Sequence, residues 1–333
     1  MQPTPVAVRR FARYAWAVAA LNVAVILWGA LVRATGSGAG CGNNWPRCNG
    51  QVIPTSPTLH TLIEFIHRAM TGADLPMVGL LVFLAFRLFP KRHLVRTAAV
   101  LSAVFLVTEA LIGAGLVLFD QVAQNASPSR AWWLSGHLLN TLTLLAVLTL
   151  TAWWGVGHRA PRFTGRAALT AAISLATVAL LGVSGAIVAL GDTLFPSASL
   201  SAGFAQDFSP MANFWLRLRL FHPMIAVAVA FWLGYYALST MARRPALRPH
   251  AMVLLGCVVL QIAAGAINLL LLAPLWTQIL HLFLADLVWI TLVIFCAESL
   301  SHPASHPADL PSASELLKNP RQQSLLRSTN PIQ

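Results

Sequence analysis

Eight apolar runs divide the chain, at residues 14–33, 62–88, 94–119, 132–155, 167–190, 214–240, 251–273 and 277–298. Each reaches the roughly 20 residues that a helix needs to cross the hydrocarbon layer of a bilayer. Only short polar connections separate them, so no separate soluble domain of any size remains. The pattern predicts an all-α integral membrane protein with eight transmembrane helices. Arg9, Arg10 and Arg13 precede the first run. No small-residue cleavage site interrupts that run before Arg33, so it reads as a retained span rather than a signal peptide. From about Ser299 the sequence turns to Ser, Pro, His and Gln and reads as a mobile, dispensable tail.

Composition agrees. Of 333 residues, 57% are hydrophobic and 10% charged, where soluble domains carry about a quarter charged residues. The net charge of +12 sets topology. The N-terminal stretch, the second, fourth and sixth connections and the tail carry sixteen Lys and Arg. The opposite side carries five: Arg33, Arg47, Arg130, Arg217 and Arg219. The positive-inside rule then places both termini in the cytoplasm of a cell that holds the protein in its plasma membrane. Charges split among short loops beside membrane lipid exclude nucleic-acid binding as the reading of the basic balance.

The two halves echo each other. Glu109 precedes Gly113-Ala114-Gly115 in the third span, and Gln261 precedes Gly265-Ala266 in the seventh. Gly182 and Gly185 in the fifth span echo Gly29 and Gly36 around the end of the first. The predicted arrangement is two pseudo-symmetric four-helix bundles, residues 1–160 and 161–300, with their two-fold axis along the membrane normal. The tail is then 301–333.

Candidate chemistry lies in the even spans. His67, His137, His222 and His281 stand a few residues inside the second, fourth, sixth and eighth spans, all of which start from one side. Equal distance from the start means equal depth. Four imidazoles at one depth point to two haems, each gripped on both faces, His67 with His137 and His222 with His281. A lone intramembrane histidine reads better as an interhelical hydrogen-bond donor. Four at matched depth in alternate helices do not.

Glu64 stands three residues before His67, on the same helix face. A carboxyl group inside a span is a functional candidate, suited to proton transfer, with a salt bridge to Arg68 or a hydrogen bond to a neighbouring helix as the structural alternative. The equivalent position before His222 is Arg219, so only the first half carries an acid there. Arg33, Arg217 and Arg219 are candidate partners for haem propionates, or else snorkel to the interface. Asp74 and Asp286 receive no role. Cys41 and Cys48, with six residues between them in the first outer loop, point to a disulfide, either a passive staple or a redox-active pair.

These residues resemble the haem A synthase family over nearly the whole chain. The resemblance rests on Gly29-Ala-Leu-Val-Arg-Ala-Thr-Gly-Ser-Gly38, on Trp45-Pro-Arg-Cys-Asn-Gly50, on Glu64-Phe-Ile-His-Arg68 and on the four histidines. The paired cysteines are similar to the form found in Gram-positive bacteria and their relatives. The resemblance implies that His67 and His137 hold the substrate, haem O, and that His222 and His281 hold a haem b cofactor. It implies that Glu64 is the catalytic carboxylate and that Cys41 and Cys48 form the first-loop disulfide. The implied reaction oxidises a porphyrin methyl group to a formyl group by successive hydroxylations, giving haem A for terminal oxidases. Haem O synthase and terminal oxidase assembly factors are the implied partners. Residues 191–213 lack the second cysteine pair of some relatives. Two rival classes remain. A b561-like di-haem electron carrier would place haems near both membrane faces, and a transporter would break its helices at mid-membrane.

Overall fold

The computed structural model describes residues 4–209 and 214–301. Its elements are α1 (Pro5–Ala34), α2 (Leu59–Leu88), α3 (Leu94–Leu118), α4 (Pro128–Gly155), α5 (Gly165–Leu194), α6 (Leu200–Phe208), α7 (Phe214–Arg243), α8 (Arg248–Leu270) and α9 (Leu275–Leu300). Eight of these are long and apolar enough to cross a membrane, and no strand occurs among the described residues. Each expected span is present as a helix; α3 ends one residue and α8 three residues earlier than expected, α1 starts nine residues earlier, and the others run on by a few residues at one or both ends. The ninth helix, α6, was not expected from the sequence. It is a single short segment on the connection between α5 and α7, capped by Ser199, whose hydroxyl accepts from Ala202 N.

Local signals set the ends. Thr4 caps α1 and Pro5 opens it. Thr58 caps α2 by accepting from Thr61 N, and Ser127 precedes Pro128 at the start of α4. Proline at the first helical position costs no hydrogen bond, because that N–H has no partner in the helix. Gly36 ends α1 at φ 67°, a left-handed conformation in which a side chain would be strained. Pro76 and Pro223 fall inside α2 and α7, which continue through them.

Core side chains fall into three groups. One is built from α1 to α4, with Phe11, Val18, Leu81, Val95, Leu144 and Leu148 buried at its centre. A second joins α5, α7, α8 and α9 around Leu233, Leu254, Leu292 and Phe295. The third lies between them, where Val23 of α1 and Leu142 and Leu145 of α4 meet Trp289 and Val293 of α9. The Trp289 indole donates to Leu142 O across this seam at 2.7 Å. Large apolar side chains such as Phe83, Phe231 and Val259 lie on the outside, as lipid contact allows.

Small residues let helices approach. A Cβ on Gly155 would meet the Phe11 ring at 3.0 Å, and one on Gly115 would meet Trp133 at 2.7 Å. Asp74, fully buried in α2, accepts from the Asn22 side-chain amide of α1 at 3.0 Å. Asp286 in α9 is buried as well, with one carboxylate oxygen lacking a hydrogen-bond partner. At the ends of α4 and α9 remote from the histidines, Glu298 accepts from the Trp153 indole at 2.8 Å and lies 3.0 Å from His158.

Candidate functional site

The four histidines fall at similar distances from the starts of their helices. His67 falls eight residues after the start of α2, His137 nine after the start of α4, His222 eight after the start of α7 and His281 six after the start of α9. At helical rise these are depths of about 9–14 Å. The imidazoles of His67 and His137 are within electrostatic range of each other, and so are those of His222 and His281.

Each ring rests on a glycine of the spanning helix that precedes its own. A Cβ built on Gly29 would stand 3.0 Å from His67 Cε1, one on Gly185 3.0 Å from His222 Cε1, and one on Gly265 2.9 Å from His281 Cε1. Gly113 and His137 repeat the arrangement more loosely, at 3.8 Å. The glycines were visible in the sequence only as echoes between the halves. The structure makes them seats for the histidines.

The ring nitrogens differ in their surroundings. His222 Nδ1 lies 2.8 Å from Ser184 Oγ. His67 and His281 each keep a buried Nδ1 without a hydrogen-bond partner. His137 Nδ1 has only Glu109 Oε1 at 3.5 Å, too long for a good hydrogen bond. A buried polar nitrogen without a partner is costly unless a ligand takes it up. Neutral imidazoles in facing pairs suit a six-coordinate haem iron, which needs only two protein ligands. Among the described residues, no group of three or more His, Cys, Asp and Glu could hold a bare metal ion.

Glu64 is almost fully buried beneath the loop between α1 and α2. Its Oε2 accepts from Cys41 N at 2.8 Å, and its Oε1 takes Arg68 Nε at 3.1 Å and Arg68 Nη2 at 2.5 Å. Arg68 also donates to the carbonyls of Asn44 and Arg47 at 2.6 and 2.9 Å. The salt bridge weighed as the structural alternative is therefore present, and it is one part of a larger clamp. Cys41 and Cys48 are bonded as a disulfide and buried. Gly40 brings this loop against the start of α2, where a Cβ would collide with the His60 carbonyl at 2.5 Å. Thr61 Oγ1 donates to Gly40 O at 2.8 Å, and Ser37 Oγ lies 2.9 Å from His60 Nδ1.

The arginines are held by protein oxygens. Arg33 donates to Ala189 O at 2.6 Å, Thr193 Oγ1 at 2.8 Å and Gln278 Oε1 at 2.9 Å, joining α1 to α5 and α9. Arg219 donates to Gly191 O and Phe195 O, with Asp192 at 3.4 Å and Asp207 at 3.9 Å. Burial pushes the Asp207 carboxyl above its ordinary value, and the Arg219 charge pulls it back. The Arg217 side chain lies outside the described residues.

Beside His137 lies an acid to which the sequence alone assigns no role. Glu109 Oε2 accepts from Asn140 Nδ2 at 2.6 Å, and the Thr141 hydroxyl contacts Glu109 Oε1. Its presence in an apolar span was the available signal. The contact with His137 needed the register of α3 against α4.

The model of the cytochrome oxidase assembly protein family matches residues 12–293. The chain is similar to a protoheme IX farnesyltransferase of Thermus thermophilus, with 46% identity over 299 residues, 89% of this chain and 49% of that relative. It is similar to the heme A synthase of Bacillus mycoides, with 40% identity over 115 residues, 34% of this chain and 37% of that one. A heme A synthase of Bacillus cereus matches at 39% over the same length. The chain thus spans at most about half the length of these curated relatives.

Proposed function

The chain belongs to the cytochrome oxidase assembly protein family, the family of the haem A synthases it resembles, and on that premise we propose that it oxidises one methyl group of haem O to a formyl group, by successive hydroxylations, to give haem A. The observation that carries this reading is the set of four glycine-seated histidines. Residues 1–160 and 161–300 are read as two four-helix bundles related by a pseudo-two-fold axis along the membrane normal, and residues 301–333 as a tail. His67 and His137 bind the substrate haem O in the first half. His222 and His281 bind a haem b in the second, where that group supplies a one-electron redox centre.

With water as the oxygen source, converting a methyl to a formyl group (R–CH3 + H2O → R–CHO + 4 H+ + 4 e−) sends electrons one at a time through the second-half haem to an external one-electron acceptor and releases protons at the porphyrin edge. Glu64, one turn from His67, is the carboxylate assigned to take them. Arg68 holds its charge and the loop closed by Cys41 and Cys48 covers it, so bulk water is kept from the site. Arg33, Arg217 and Arg219 are assigned to the propionates, where a guanidinium can exchange a carbonyl partner for a carboxylate. The protein is read as residing in the cell membrane with both termini cytoplasmic, from the charge bias of its loops. A relative named for protoheme IX farnesyl transfer matches this chain at 46% identity over about half of its own length. That supports a farnesylated haem as substrate and a haem O synthase as partner.

The test is pigment analysis of the purified protein made with and without a supply of haem O. Haem A should accumulate only with that supply and only when Glu64 is intact. Recovery of unmodified haem b alone, with Glu64→Ala unchanged from the parent, would instead identify a di-haem electron carrier.

A further inference from the structure

The two histidine pairs differ in what stands behind the second ligand of each. Glu109 on α3 and Gln261 on α8 each precede the seat glycine by four residues, Gly113 and Gly265 respectively. Each approaches the histidine that rests on that glycine. Glu109 Oε1 lies 3.5 Å from His137 Nδ1, and Gln261 Nε2 lies 3.4 Å from His281 Nε2. One half thus presents a carboxylate at Nδ1 of its histidine, leaving Nε2 for iron, whereas the other presents a neutral amide at Nε2, leaving the unpartnered Nδ1 for iron.

The carboxylate is a held group. Asn140 Nδ2 donates to Glu109 Oε2 at 2.6 Å and to Phe105 O at 2.9 Å, and Asn140 Oδ1 accepts from Thr108 at 2.7 Å. Thr141 contacts the other carboxylate oxygen. The corresponding positions after His281 are Leu284 and Ala285, and Leu260 corresponds to Thr108. A polar seat has therefore been built around Glu109 alone. The ring it faces is also the one with room to move. Its glycine would leave a Cβ 3.8 Å away, against 2.9–3.0 Å at the other three. His137 can close the remaining gap to Glu109 without pressing on α3.

We propose that Glu109 is the positioning residue of His137, fixing its ring and making it the more basic axial ligand, so that the first-half haem has a lower midpoint potential than the second-half haem. A carboxylate that accepts from the outer nitrogen of a ligating imidazole raises the basicity of the ligating nitrogen. A more basic ligand favours ferric over ferrous iron, and hydrogen bonding around the ligands is one of the means by which a protein sets a haem potential. Gln261 offers no such charge to His281. The inference rests on the two-haem reading given above and adds an order of potentials to it.

The test is spectroelectrochemical titration of the full-length chain loaded with protohaem, comparing the parent protein, Glu109→Gln and Gln261→Glu. His281→Ala, which removes a second-half ligand, assigns the components. In the parent, the first-half component should titrate at the lower potential. Glu109→Gln should raise that component and leave the other in place, and Gln261→Glu should lower the second-half component alone. Retention of both haems with neither component moved by its variant would overturn the inference and leave the two-haem reading standing. Equal movement of both components by either variant would overturn it too. A parent protein without a two-imidazole, low-spin haem spectrum would refute the functional reading, and this inference with it.

Discussion

The backbone N–H of Cys41 donates to the carboxylate of Glu64 at 2.8 Å, so one half of the loop disulfide is bonded directly to the buried acid. Closing the eight-residue loop from Cys41 to Cys48 is worth about 2–3 kcal/mol on a chain-entropy basis. Replacing both cysteines by serine should lower the thermal midpoint and reduce haem A formation severalfold. Haem content should stay near that of the parent, because the histidines lie on helices and not on the loop. Absorbance of bound haem against extracted haem A measures the two separately.

Glu64→Gln keeps the shape of the side chain and removes its charge. Haem A formation should fall by about a hundredfold or more, the scale of a lost acid–base group, with haem binding retained. Arg68→Ala strands a carboxylate that is only 3% exposed. That variant should cost about 3–5 kcal/mol relative to the parent and be the less stable of the two, as read from unfolding in detergent. Equal stability of the two would show that the pair is not a structural clamp.

Alanine at the seat glycines should separate into two classes. Gly29→Ala, Gly185→Ala and Gly265→Ala place a Cβ within 3.0 Å of a histidine ring, whereas Gly113→Ala places it at 3.8 Å, an ordinary contact. The first three should cost about 1–3 kcal/mol through overpacking and weaken haem retention in their own half. Gly113→Ala should retain haem as the parent does. Haem-to-protein ratios after purification decide it.

Arg33 ties α1 to α5 and α9 through three hydrogen bonds. Arg33→Leu should lower stability by about 1.5–3 kcal/mol for each charged bond not replaced. The loss should appear as an earlier unfolding transition even in haem-free protein, which separates this bridging role from any contact with propionates.

Much of this architecture could be read from the sequence. The eight spans follow from hydropathy alone, and the four histidines from their matched distance into alternate spans. Contacts that depend on helix register could not be read. Ser184 stands one residue before Gly185, yet only the packing of α5 on α7 brings it to His222 Nδ1. Arg33 reads as an interfacial cation because nothing local to it reveals Ala189 and Gln278 on helices far away in sequence. Helix α6 is not legible as a span because its nine residues, although five are apolar, fall far short of the roughly 20 that cross a bilayer. Glu64 was legible as a buried acid, but not the Cys41 N–H above it, since a loop's path over a helix end leaves no periodic trace.

The glycine seats bear on the order of assembly. Every seat and its histidine belong to spanning helices that follow each other in the chain, α1 with α2, α3 with α4, α5 with α7 and α8 with α9. Each ligand is therefore aligned within its own helical hairpin as soon as that hairpin forms. A haem held from both faces needs histidines from two hairpins. On the proposed two-haem reading, insertion of single hairpins sets the aim of each histidine, and haem capture waits for hairpins to meet in pairs.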